Sequence, residues 1–147
     1  MTPADLEKPI YKGKAKASGE TPLEIELLAF AGDRVCLPRG GETDEKKLLA
    51  HGECWYPIGV KLMVGEQSQC HRNSALMWEA NRDKVRIATG YALSDDGIWR
   101  QHSWCVTCDR RSGSRGGRVV ETTEKRLLYF GVCLSDELAD DFLYANE

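Results

Sequence analysis

Polar and apolar positions alternate most clearly between Lys84 and Leu93 (KVRIATGYAL). There Val85, Ile87 and Thr89 stand opposite Lys84, Arg86 and Ala88, the period-two pattern of a strand. Ser94-Asp95-Asp96-Gly97 is a turn by composition. The next strand runs from Ile98 to Thr107 and sets His102, Trp104 and Val106 on one face. A further strand over 118–123 closes a hairpin with it across DRRSGSRGG, a basic, Gly-rich loop. An odd-sum register, with His102 opposite Thr123 or Glu121, puts Glu121 on the histidine's face. Upstream, Ser68 predicts an N-cap for a helix over 69–81. Its inward face is expected to be Asn73, Leu76, Met77 and Ala80, with Cys70 one turn before Asn73 on the same face.

The remaining chain completes an α+β pattern. Residues 1–22 are polar and broken by Pro3, Pro9, Gly13, Gly19 and Pro22, with lysines at 8, 12, 14 and 16, and read as a solvated lead-in. LEIELLAF (23–30) alternates like a strand, although a short helix also fits. Residues 35–37 suggest another strand. Thr43 suggests the cap of a short helix over 46–50 that Gly52 ends. The run 55–64 (WYPIGVKLMV) is apolar and is expected to lie extended against the core. A last strand over 127–130 and a helix over 136–144 capped by Ser135 follow. The domain expected from this is a single one, residues 23–147.

Composition narrows the function classes. A net charge of −3 over 147 residues argues against general nucleic-acid binding. No apolar run approaches the roughly 20 residues that span a bilayer, so no membrane association is expected. The start of the chain lacks a basic stretch followed by an apolar one, which makes cytoplasmic the expected location. The six cysteines are then expected to be reduced thiols.

Among them Cys70 carries the chemistry. A thiol in the first turn of a helix feels partial positive charge, which favours thiolate. His102 as base and Glu121 as the acid that orients it complete a nucleophile–base–orienter order. Backbone N–H groups at the helix start, with Gln67 or Gln69, are candidates for holding an oxyanion, and Asn73 and Trp104 for supporting the site. His71 is a second candidate base. His102, Cys105 and Cys108 also form H-x2-C-x2-C, three of the ligands a zinc site would use, but no second CxxC follows and Cys105 and Cys108 point to opposite faces of an extended strand. No metal or other cofactor is expected.

Cys70-x-x-Asn73-Ser74-Ala75, Gly90-Tyr91-Ala92, His102-Ser103-Trp104, Val120-Glu121-Thr122-Thr123 and Tyr129-Phe130-Gly131 stand in a particular order. That series resembles small bacterial and phage proteins of a papain-like (NlpC/P60- or transglutaminase-like) thiol hydrolase type, over about residues 66–134. The resemblance implies a Cys-bearing helix packed on a small antiparallel sheet that carries the histidine and the acid. It also implies Cys70 as nucleophile, His102 as base and Glu121 as orienting acid, where many relatives have aspartate. The expected function is a thiol-dependent hydrolase or acyl transferase acting on an amide or ester of a small molecule or peptide. The alternatives are a non-catalytic ligand- or peptide-binding domain on the same fold and, behind it, a zinc-dependent deaminase-like enzyme.

Overall fold

The two long alternating runs form the centre of one sheet. The structure, a computed structural model, describes residues 21–108 and 117–146; the lead-in to residue 20 and loop residues 109–116 lie outside the described residues. In chain order the elements are α1 (Pro22–Phe30), β1 (Arg34–Cys36), α2 (Glu45–His51), β2 (Glu53–Trp55) and β3 (Lys61–Leu62). They continue with α3 (Cys70–Ala80), β4 (Val85–Leu93), β5 (Ile98–Thr107), β6 (Val119–Glu121), β7 (Leu128–Cys133) and α4 (Asp136–Asn146). The fold is therefore α+β.

The strand order is β2-β7-β4-β5-β6-β3, and β1 adds to β5. The sheet is mixed, where a purely antiparallel one was expected. Its centre is antiparallel, but β1 joins β5 and β3 joins β6 in parallel. These two parallel partners come from distant, short segments that hairpin logic does not reach.

One face of the sheet is covered by helices in two pairs. Leu23 and Leu27 of α1 and Leu48 of α2 pack with Tyr91, Leu93, Trp99 and Phe130. Ala75 and Trp78 of α3 and Ala139 and Leu143 of α4 pack with Val85, Ile87, Cys105 and Val120. The opposite face closes on Trp55, Ala88, Ala92, Trp104, Val106, Val119 and Tyr129. Alternation along β4 and β5 is what sends their side chains to these two layers.

Three local expectations change. Residues 22–30 form a helix because Thr21 and Glu24 make a reciprocal capping box, Pro22 occupies the first turn, and Leu23 and Leu27 share one face. In α3 the buried residues are Asn73, Ser74, Ala75 and Trp78, while Leu76 and Ala80 face solvent. The indole of Trp78 offers more apolar area than Leu76 and draws that face inward. Along 55–64 only Trp55 is buried; Tyr56, Ile58, Leu62, Met63 and Val64 are exposed. Pro57 and Gly59 interrupt the run, and the chain past them reaches the sheet only at its edge.

Two glycines let the central strands carry a large ring. Gly90 lies opposite both His102 and Gly131. A Cβ on Gly131 would meet Thr89 O at 2.4 Å and the Trp104 ring at 2.9 Å. Gly131→Ala is therefore expected to destabilise the protein by about 1–3 kcal/mol, the usual cost of overpacking a filled core. A urea midpoint equal to that of the unsubstituted chain would contradict this packing.

Candidate active site

β5 shares one long edge between two neighbours. β1 pairs with residues 98–100 and β6 with residues 105–106, so neither pairs with Gln101–Trp104 on that edge. His102 sits in this gap. The start of α3 reaches the same place, because α3 packs along β5 through Ala75 and Trp78.

The segment before Cys70 is pinned at several points. Met63 N–H donates to Glu121 O and Gly65 N–H to Thr122 O, each at 2.8 Å, which ties it to the chain carrying the acid. Asn73 then brackets Glu66: its Nδ2 donates to Glu66 O (2.8 Å) and its Oδ1 accepts from Glu66 N–H (3.1 Å). Gly65 lies so close to this amide that a Cβ would meet Asn73 Cγ at 2.7 Å. Ser68, expected to cap the helix, instead takes a left-handed conformation (φ 61°). Gln69 occupies the cap position without a side-chain cap bond. A serine in that region is uncommon and is held by its surroundings.

Glu121 is fully buried, and its carboxylate is surrounded by donors. His102 Nε2 lies 2.9 Å from Oε1 and 3.1 Å from Oε2. The Tyr129 hydroxyl donates to Oε1 (2.9 Å); Thr123 N–H and Thr123 Oγ1 both donate to Oε2 (2.9 Å). Extending the β5–β6 register by one step places Glu121 across from Trp104, hence on the face of His102 as expected. Burial alone would raise the carboxyl pKa, but the bonds and charge from His102, then Thr123, bring it below its ordinary value.

With Nε2 on the acid, Nδ1 of His102 is the nitrogen that remains for Cys70. The two side chains line the same cleft, where the imidazole acts on the thiol. Burial works against charge on the thiol, yet hydrogen bonds and positive charge from His102 and then His71 outweigh it. Together they bring Cys70 down from 9.0 to about 5. Burial likewise opposes charge on the His102 ring, but its bonds to Cys70 and Glu121 raise its pKa above the usual value. Both shifts favour the thiolate–imidazolium form of the pair. Burial instead pushes Cys54, Cys105 and Cys133 up to about 11, 12 and 11. His71 has a second anchor, its Nδ1 lying 2.6 Å from Ser103 Oγ.

A cleft of about 320 Å³ opens over Cys70 and His102, lined also by Gln67, Ser68, Gln101 and Arg126. Of the residues expected to support it, Gln67 does line the cleft, and Asn73 shapes the loop from behind. Gln69 is exposed beside it. Trp104 is fully buried and stacks behind the imidazole (centroids 5.8 Å, 24° between planes), so it orients His102 and does not reach the cleft. Tyr91 points to the helix-covered side and donates to Glu42 (2.6 Å). Tyr129 and Thr123 hold the acid; their places in the Y-F-G and V-E-x-T series were the only sequence signal for this. Arg126 had none.

His102, Cys105 and Cys108 are not brought together: the Cys105 thiol donates to Ser74 O (3.5 Å) among the residues under α3. The described residues contain no cluster of three or more His, Cys, Asp or Glu able to hold a metal ion, and no helix long and apolar enough to cross a membrane. Comparison with family models, curated proteins and solved structures finds no match for this chain.

Glu121→Gln tests the electrostatic chain. Losing the negative charge lowers the His102 pKa, so less positive charge faces the sulfur and the Cys70 pKa rises. The thiolate absorbance of Cys70 is expected to appear at higher pH than about 5; an unchanged midpoint would disconnect the acid from the thiol.

Proposed function

We propose that the protein is a thiol-dependent hydrolase or acyl transferase of papain-like type, acting on an amide or ester. The observation that carries this reading is the contiguous Cys70–His102–Glu121 array at the open edge of β5. Structural cysteines stay protonated, as the buried Cys105 and the half-buried Cys54 and Cys133 do here. Cys70 alone among those four is driven towards thiolate, and it faces a cleft.

In this reading the Cys70 thiolate attacks the carbonyl carbon and forms a tetrahedral oxyanion. The N–H groups of Cys70 and His71 precede the first intrahelical bond, Asn73 N–H to Gln69 O, and have no partner within the helix. They face the developing charge, with the Gln67 amide at the cleft wall as a further donor. Collapse breaks the bond to the leaving group, which takes the proton held on His102, and a thioester to Cys70 remains. Neutral His102 then takes a proton from water or an acceptor as that group attacks the thioester carbonyl. The product departs and the thiolate–imidazolium pair is restored. Glu121 keeps the ring in orientation throughout.

Trapping tests this directly. Incubated with panels of activated esters and peptide amides, the protein is expected to gain an acyl mass on Cys70, with turnover abolished in Cys70→Ala and the fold intact by circular dichroism. Acylation that persists in Cys70→Ala, or that spreads evenly over all six thiols, would contradict the assignment.

A further inference from the structure

The catalytic groups impose an electrostatic problem on the substrate. The buried Glu121 carboxylate lies directly behind His102, and the Glu124 carboxylate lines the cleft wall. A substrate carboxylate would be repelled unless a cation stands in the cleft. Arg126 is such a cation. Its side chain is only 17% exposed, and it lines the cleft with Cys70 and His102.

The arginine is anchored without being neutralised. Nη1 donates to the backbone O of Glu124, and Nη2 to Thr123 Oγ1 at 3.4 Å, both uncharged acceptors. The carboxylate paired with it, Glu124 Oε2, is 4.0 Å away on a side chain 82% exposed, where water screens the interaction. Arg100, also on the cleft wall, differs: Asp96 meets its guanidinium twice, at 2.8 and 3.3 Å. A guanidinium that meets no closer carboxylate among the described residues suits bidentate binding of a substrate carboxylate. A volume of about 320 Å³ is at the small end of ligand sites and fits a small acid or one acidic residue.

We infer that the substrate carries a carboxylate close to its scissile bond and that Arg126 is the residue that recognises it. This rests on Cys70 being the nucleophile, and the test separates the two claims. The whole protein is treated at low salt with two methanethiosulfonates, one bearing a sulfonate and one a trimethylammonium group. In each case Cys70 sulfur attacks the sulfenyl sulfur, a mixed disulfide forms and methanesulfinate leaves; peptide mass reports the rate at Cys70.

Arg126→Gln is expected to lower the anionic-to-cationic rate ratio by about three- to tenfold, as loss of one partly screened charge contact should. Added salt should narrow the difference. If Arg126 merely props Thr123 and Glu124, both rates change together and the ratio stays, which overturns the proposal. In the unsubstituted protein, succinate should protect Cys70 where succinamide does not; equal protection, or none from either, also overturns it. Should Cys70 react with an ordinary thiol's pH dependence, the nucleophile reading fails. The ratio measured at alkaline pH still decides the role of Arg126.

Discussion

A carboxylate buried without water is unstable unless its charge and lone pairs are met, and Glu121 meets that condition with His102, Tyr129 and both donors of Thr123. Much of the site follows from this. The acid favours a protonated imidazole beside it, a protonated imidazole favours a thiolate, and the thiolate is stabilised in turn at the start of a helix. Each charge lowers the cost of the next, so the groups form one electrostatic unit spread over α3, β5 and β6.

The fold supplies the place for that unit by dividing the edge of β5. β1 leaves it after Arg100 and β6 approaches it only at Cys105, so His102 is reached from the side by a helix start. The loop that delivers Cys70 is tied by backbone bonds to the chain delivering Glu121, and Asn73 fixes its curvature. Cys70 and Glu121 are thus positioned relative to one another by main-chain contacts. Such contacts move less than side chains do, as a preorganised site requires. Behind His102, Trp104 fills space that Gly131 leaves open, and the ring has little freedom to turn.

How much of this was legible beforehand depended on how local the determinant was. The β4 and β5 strands, the turn at 94–97 and the face shared by His102 and Glu121 all follow from alternation and hairpin register, which are short-range rules. The capping box at Thr21 and Glu24 was equally local, yet the alternating leucines and glutamates beside it spoke for a strand. Parallel pairing of β1 and β3 depends on contacts across the whole chain and leaves no periodic trace. How Trp104 supports the site is not legible in the sequence, because an aromatic near a histidine looks alike whether it faces substrate or stacks behind the ring. Only the closing of the opposite face on Trp55, Ala88 and Tyr129 distinguishes the two. Arg126 lies in an irregular connection, where its place on the cleft wall is a purely tertiary fact.

The central claim is that Cys70 and His102 share one proton economy. The rate of Cys70 alkylation by iodoacetamide as a function of pH, in the unsubstituted protein and in His102→Gln, measures it most directly. The account predicts an inflection near the thiol value of about 5 in the former, moved up towards the ordinary 9.0 in the variant. A single inflection at the ordinary thiol value in both proteins would contradict it and leave Cys70 a structural residue.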